Sequence, residues 1–157
     1  MFFVGTDYFE SGGTYSATIK SDGAGRILAY TYATSGMLTK TAYHVGQFYS
    51  TTGSPWFQPY AVGSKTGLVG ISSGAIASGC CGWVTIRGPV DSASSSATVQ
   101  FTGSIGHAVF FADASGMGAS SSAYAGLSHQ IGFLLAEATG TQVCNIFLTG
   151  NLNAIAM

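Results

Sequence analysis

The side chains that could do acid–base chemistry are few and widely spaced in this chain. Six carboxylates occur among 157 residues, at Asp7, Glu10, Asp22, Asp91, Asp113 and Glu137. General acid–base catalysis needs a pair of titratable groups held at a fixed separation. Asp22, Asp91 and Asp113 lie instead in turn-like sequence, where carboxylates commonly accept hydrogen bonds from nearby backbone amides. The pattern predicts solvent-facing turn residues rather than a catalytic pair.

The three histidines do not form a metal-binding motif. His44, His107 and His129 share no metal-site spacing, and no carboxylate or cysteine motif accompanies them. We expect each to be a packing or surface residue beside a strand, and we predict no metal and no cofactor. If the protein is a trimer, one histidine could still meet its symmetry copies on the axis.

The cysteines, serines and glycines carry no recognisable nucleophile or phosphate-binding motif. Cys80 and Cys81 are adjacent, Cys144 stands alone, and no basic residue is evident beside them to activate a thiol. The chain has no Gly-x-Ser-x-Gly elbow, and Gly23-Ala24-Gly25 is too short to cradle a phosphate. We therefore expect small buried thiols and a protein that is not an enzyme. The odd number of cysteines fits synthesis in a reducing cytoplasm.

The composition argues against nucleic-acid and membrane partners. Charged residues make up 7% of the chain and the formal net charge is −1, whereas about 25% is usual. The five basic residues are scattered between positions 20 and 87, so no phosphate-binding patch is visible; they are Lys20, Arg26, Lys40, Lys65 and Arg87. The chain has no apolar run of the ~20 residues that a membrane helix needs, and its first residues lack the basic region of a signal peptide.

The low charge also bears on association. Charged surface keeps monomers apart in solution, and this chain has little of it. We therefore expect the chain to bury its neutral surface in a homo-oligomer or a larger lattice.

Residues 68–90 form the clearest structural pattern, which predicts a β-hairpin. Val69 and Ile71 alternate with small residues on the first strand. On the second strand, apolar residues alternate with residues that would lie on the opposite face, which is typical of a half-buried strand. Val84 and Ile86 would lie on one face, and Trp83, Thr85 and Arg87 on the other. We expect Gly88-Pro89 to end that strand, because proline has no amide hydrogen. Residues 91–97 would then be a serine-rich connector.

The same layout returns 62 positions later, from Val69 to Ile131. Residues 131–133 match residues 69–71, and Ile146, Leu148 and Gly150 match Val84, Ile86 and Gly88. The matching apolar positions predict a duplicated β unit, with pseudo-repeats over about residues 30–90 and 91–152.

The remaining strands predict an all-β fold. Strand candidates occupy residues 26–32, 42–49, 97–101, 106–112 and 142–148, separated by glycine-rich turns. Residues 124–139 fit a helix or a strand, and the strand is favoured because Gly126 and Gly132 disfavour a helix. We predict one domain over residues 25–157, a small β-barrel, β-tulip-like or sandwich fold. Residues 1–24 would be an extended N-terminal arm, held by the aromatic side chains of Phe2, Phe3, Tyr8 and Phe9.

With these elements placed, the hairpin resembles the capsid decoration (cement) proteins of tailed-phage heads. These proteins often carry a Val-Gly-Val/Ile segment, a small-residue turn and then Gly-Trp-Val-x-Ile-x-Gly-x-Val. Here the segments are Val69-Gly70-Ile71 and the run from Gly82 to Val90. Ile131-Gly132 and Asn145-Ile146-Phe147-Leu148 are similar to the family's closing segment. The resemblance covers about residues 26–150; the arm has no counterpart, and Cys80-Cys81 departs from the usual small polar turn.

The resemblance implies a non-enzymatic virion protein. Such proteins commonly form trimers on the outer capsid surface and brace neighbouring hexons, so the implied partners are the major capsid protein and further copies of the chain. The implied location is the virion, after synthesis in the host cytoplasm. Trp83 and Arg87 are candidate subunit or capsid contacts, because both residue types are enriched at interfaces, although they could simply cover the outer face of an ordinary strand. The aromatic arm would clamp onto the shell or an adjacent trimer.

A second hypothesis is a different virion component, such as a head-fibre base, a tail protein or a host-binding module. It predicts a receptor- or glycan-binding loop lined by Trp56, Phe57 and Tyr60, beside Pro55 and Pro59. A small hydrolase is disfavoured, because it would need clustered histidine and carboxylate side chains.

Overall fold

A computed structural model describes residues 19–33, 36–45, 59–60, 68–95, 99–113, 116–119 and 130–153, and its regular elements there are all β-strands. The strands are β1 (Ile19–Ser21), β2 (Ile27–Tyr32), β3 (Ala42–Val45), β4 (Pro59–Tyr60), β5 (Leu68–Ser72), β6 (Cys81–Ser94), β7 (Phe101–Gly103), β8 (Ala108–Asp113), β9 (Gly116–Ala119), β10 (Gln130–Leu134), β11 (Ala138–Thr141) and β12 (Val143–Asn153). The all-β prediction is confirmed. Of the predicted arm, residues 1–18 lie outside the described residues, and residues 19–21 belong to the sheet as β1.

The strands form one sheet in the order β11-β7-β9-β8-β10-β12-β6-β5-β3-β4, with β2 also pairing β6 and β1 pairing β2. Neighbours are antiparallel except β7 and β9. The sheet is open, since it does not close into a barrel. Strands β1, β4 and β11 each pair with a single neighbour among the described strands.

The long strand β6 joins the two halves of the sheet. Its first part pairs with β2 and β5, and from Gly88 onward it pairs with β12. The prediction that Gly88-Pro89 ends the strand is wrong, and the predicted connector is strand as far as Ser94. Pro89 is tolerated because it lies beyond the residues that pair with β2 and β5, so one side of the strand has no paired neighbour at this position that would need an amide hydrogen.

The backbone at position 88 requires glycine. Its φ of 107° lies in the region that favours glycine, and a Cβ there would collide with the backbone of Gly25. The turn before β2 therefore packs directly on β6 at the point where the strand passes from one half to the other.

The two predicted hairpins have the same register. Ile71 lies opposite Thr85 and Ser72 opposite Val84 in the first, and the positions 62 residues later pair in the same way. Those later pairs are Phe133 with Phe147 and Leu134 with Ile146. Identical register is what an internal duplication entails, although the duplication itself stays a prediction.

Buried apolar side chains form two clusters. The larger joins both halves and holds Ala42, Val69, Ile71, Val90, Ala93, Phe101, Val109, Met117, Ala119, Ile131, Leu134, Ala138, Cys144, Ile146 and Leu148. The smaller belongs to the first half and holds Ala29, Ala33, Met37, Ile76, Val84 and Ile86. The larger cluster therefore joins residues of both halves in one core, while β6 keeps the sheet continuous.

The first part of β6 is buried on both faces. Val84 is 0% exposed and Thr85 only 2%, so the prediction of a half-buried strand is wrong at its centre. Thr85 pairs with Ile71 of the larger core, whereas Val84 belongs to the smaller one. The face of β6 that was predicted to be exposed is covered by strands distant in sequence. The alternation of residues within β6 cannot predict that cover.

The other strand predictions are confirmed in type and shifted in extent. Residues 130–134 are strand, as favoured over helix, and the competing residues 124–129 lie outside the described residues. Strand β12 runs to Asn153 rather than ending near Gly150, and β7 begins only at Phe101.

Candidate functional site

Trp83 is half-buried, and two side chains contact its ring, one from the adjacent strand β2 and one from β1, which lies beyond β2. Its ring centroid lies 5.0 Å from that of Tyr30, with the ring planes inclined by 53°. The ammonium nitrogen of Lys20 lies 3.9 Å from the centroid of the Trp83 ring. A cation over an aromatic face is attracted by the negative face of the ring. Strands β1, β2 and β6 thus build one aromatic–cationic cluster, formed by Lys20, Tyr30 and Trp83.

Arg87 is exposed and lies opposite Ile27 of β2. A register shift between Ile27 and Leu28 leaves Ile86 as an extra residue of β6 in the ladder with β2. A bulge of this kind interrupts the alternation of side chains along a strand. The regular alternation of side chains that the sequence predicted from Trp83 to Arg87 is therefore interrupted between these two residues. Their role in an interface stays a prediction.

The turn between β1 and β2 is held by an ion pair. The Arg26 guanidinium contacts the carboxylate of Asp22, and the amides of Ala24 and Arg26 donate to the same carboxylate. Partial desolvation opposes ionisation of Asp22, but the hydrogen bonds from Arg26 and the two amides outweigh it and lower the pKa of this carboxyl. This carboxylate has the backbone-bonding role that the sequence predicted for turn residues.

A second surface, which is apolar and exposed, lies in the second half of the sheet, and the sequence did not predict it. Ile105 is 65% exposed, Val143 is 52% exposed and Leu135 is 38% exposed. Two backbone hydrogen bonds link the segments that carry these residues. The Gly106 amide, next to Ile105, donates to the Leu134 carbonyl, and the Leu135 amide donates to the backbone carbonyl of Asn145, two residues after Val143. Apolar residues in strand-like sequence are expected in the core, so only the fold reveals their exposure.

Two exposed carboxylates accompany this apolar surface. Glu137 lies between β10 and β11, and Asp91 lies on β6 beside a bulge opposite Asn145. The bulge places Ser92 at a φ of 55°, and its amide donates to the Asn145 side chain at 3.0 Å. Asn145 thus ties β6 to β12 at this surface.

The described side chains assemble no reactive or metal-binding cluster. Cys81 and Cys144 are buried as predicted, while Cys80 is half-buried. Within the described ranges, no group of three His, Cys, Asp or Glu side chains could hold a metal ion. Nor does that part of the chain contain a helix long and apolar enough to cross a membrane.

Several predicted site residues fall outside the described residues. These are Phe2, Phe3, Tyr8 and Phe9 of the arm, and Trp56 and Phe57 of the proposed ligand loop. Tyr60 is placed in β4, opposite His44. The ligand-loop hypothesis therefore stays a prediction.

Comparison of this chain with protein-family models, curated proteins and solved structures finds no match.

Proposed function

We propose that this chain is a non-enzymatic virion protein, a decoration protein that binds the outer surface of a tailed-phage head as a homotrimer and stabilises it. The observation that carries the proposal is the place of the motif from Gly82 to Val90. The motif lies in β6, the strand on which both halves of the sheet are built, and it leaves Trp83 half-buried and Arg87 exposed. The segment that resembles the decoration proteins is thus central to the fold and also reaches the surface.

The composition and the surface support the same proposal. A chain with 7% charged residues gains solubility when neutral surface is buried between copies or against a shell. Exposed apolar side chains occur in both halves, including Ile19, Leu38 and Ile105. Surfaces of this kind suit a protein that works in many copies, because avidity multiplies weak individual contacts.

The test is binding to heads that lack their decoration protein. Heads assembled from the major capsid protein of the same phage are mixed with the purified chain and sedimented. We expect saturable co-sedimentation and heads that withstand a higher temperature before releasing their DNA or collapsing. If the purified chain at micromolar concentration does not bind these heads, the proposal is overturned.

A charge-matched variant makes the binding test specific. Arg87→Glu removes the exposed cation of the motif, whereas Lys40→Glu makes the same charge change in the turn between β2 and β3. We expect weaker head binding from the Arg87 variant alone. Equal binding by both variants would remove Arg87 from the contact.

A further inference from the structure

The turn between β1 and β2 contains Asp22-Gly23, the one place in the chain where glycine follows an acidic residue. An aspartate before glycine can react with the chain itself, because glycine has no side chain to keep the next amide nitrogen away from the carboxyl carbon. The residues that follow the other aspartates are Tyr8, Ser92 and Ala114. Asp22 therefore has the least hindered neighbouring amide.

The reaction is a loss of water followed by its return. The Gly23 nitrogen bonds to Cγ of the protonated Asp22 carboxyl, and the amide proton leaves with the carboxyl hydroxyl as water, which closes a succinimide ring. Water then breaks one of the two carbonyl–nitrogen bonds of the ring. Breakage at the side-chain carbonyl restores aspartate, whereas breakage at the backbone carbonyl yields isoaspartate, whose chain runs through Cγ. Water is the only other reactant, and the mass of the chain is unchanged.

The geometry of the turn leaves room for this reaction. Residues 21–25 are exposed, and nothing lies within 4 Å of the position that a Cβ on Gly23 would occupy. Gly23 has a φ of 77°, a conformation that glycine adopts without strain. The amides of Ala24 and Arg26 donate to the Asp22 carboxylate, but the Gly23 amide donates to no described residue. The attacking nitrogen is therefore not held by another contact there.

The carboxyl group, by contrast, is restrained by Arg26. The guanidinium contacts Oδ2 of Asp22, while the two amides donate to Oδ1, so each carboxylate oxygen has a partner. The Asp22 side chain is only 17% exposed, although the residue as a whole is open to solvent. Partial desolvation raises the pKa of Asp22, but the hydrogen bonds from Arg26 and the amides outweigh it. The folded turn thus keeps the carboxyl ionised, and an ionised carboxyl loses an oxygen far less readily than a protonated one.

Asp91-Ser92 shows how the fold blocks the same reaction elsewhere. Ser92 also has a positive φ, of 55°, but its amide donates to the Asn145 side chain at 3.0 Å. Both residues lie within β6, which is paired with β12 before and after them. Attack by the Ser92 nitrogen on Asp91 would break that hydrogen bond and displace a paired strand.

We propose that Asp22-Gly23 is the site at which the folded chain forms isoaspartate spontaneously, and that Arg26 sets the rate by binding the carboxylate. Isoaspartate adds one carbon to the backbone of the turn and moves the carboxylate onto Cα, away from the amides that it binds in the unmodified chain. The Gly25 backbone packs directly on Gly88, so the longer turn cannot keep its fit to β6. The modification therefore loosens β1 as the protein ages. This inference does not rest on the proposed function.

The experiment ages the purified chain at neutral pH and physiological temperature and measures isoaspartate at each aspartate. Peptide mapping with electron-transfer mass spectrometry distinguishes isoaspartate from aspartate at equal mass. We expect accumulation at Asp22 and none at Asp91. Arg26→Gln should raise the rate at Asp22 about two- to fivefold, the factor that corresponds to the loss of one exposed ion pair. Lys40→Gln, which removes a cation outside this turn, should leave the rate unchanged.

The same measurement in urea separates the fold from the local sequence. Unfolding removes the contact between Arg26 and Asp22, so the wild type and Arg26→Gln should react at the same, faster rate when unfolded. Circular dichroism checks that both proteins are folded in buffer. Added salt tests the ion pair without a variant, because it screens exposed charges. Salt should speed the reaction in the folded wild type and leave folded Arg26→Gln unchanged.

The inference is overturned if the folded wild type and folded Arg26→Gln form isoaspartate at the same rate. It is overturned also if the variant reacts faster than the wild type in urea, because the difference would then belong to the local sequence. Faster formation at Asp91 than at Asp22 would overturn it as well. So would the absence of isoaspartate at Asp22 in both folded proteins over a period in which the unfolded chain forms it.

Discussion

The ammonium nitrogen of Lys20 lies 3.9 Å from the centroid of the Trp83 ring. This contact joins β1, an edge strand of the first half, to β6, on which both halves are built. It gives the short strand β1 an anchor beyond its three-residue ladder with β2, since the two strands that touch through it are not neighbours in the sheet.

Replacing the Lys20 cation should loosen this anchor. We expect Lys20→Met to reduce the free energy of unfolding by about 0.5–1 kcal/mol, because the aliphatic stem remains and the attraction to the ring is lost. Urea unfolding followed by circular dichroism, at matched protein concentration, measures the change. Lys20→Arg keeps a cation over the ring and should retain the stability; equal losses in both variants would contradict the cation–π interpretation.

Gly132 should not tolerate a side chain. It is buried, and a Cβ there would collide with the backbone carbonyl of Phe147, which cannot turn away as a side chain would. We expect Gly132→Ala to cost roughly 1–3 kcal/mol of unfolding free energy, the range for overpacking. Gly74→Ala is the matched control, since nothing lies within 4 Å of its Cβ position. A Gly132 variant as stable as the Gly74 variant would contradict the close approach of β10 and β12.

Two isoleucines of the second half should differ sharply in their contribution to stability. Ile146 is fully buried in the larger core, whereas Ile105 is exposed in the turn after β7. We expect Ile146→Ala to cost about 2–5 kcal/mol through lost burial and a cavity, and Ile105→Ala to stay within about 0.5 kcal/mol. Thermal unfolding of both variants measures the difference. A large loss for Ile105→Ala would show that its side chain is covered.

The turn between β1 and β2 should lose stability in acid. The pKa of Asp22 is lowered in the folded chain by its hydrogen bonds and by Arg26, against partial desolvation. A carboxyl with a lowered folded pKa stabilises the fold above its unfolded pKa, and this contribution is lost as the pH falls through the folded value. We expect the wild type to lose more stability than Asp22→Asn below about pH 4. Parallel curves for the two proteins over that range would contradict the prediction.

Much of the fold could be predicted from local sequence. The strand at residues 27–32, the hairpin of β5 and β6 and the choice of strand for residues 130–134 follow from β-branched and alternating residues. The matching positions of the two hairpins also have the same register in the structure, where Ile71 lies opposite Thr85 and Phe133 opposite Phe147. These features depend on neighbours in the chain or on the register that a turn imposes.

The ends of strands and the exposed surfaces were not predictable in the same way. Pro89 stops a strand only when its missing amide hydrogen faces a neighbour, and the neighbours of β6 are set by strands far away in sequence. Ile105, Leu135 and Val143 have the residue types of a core but lie at its rim.

The sequence by itself determined an all-β chain with little charge and two similarly patterned hairpins. These properties follow from residue types and from the two-residue period of a strand, which act locally. Only the tertiary structure decided that β6 is shared by both halves, that its first part is buried on both faces and that β1 and β11 each pair with a single strand among the described residues. Burial and edge exposure depend on which distant strands stack and pair, and that choice minimises the free energy of the whole chain rather than of any one segment.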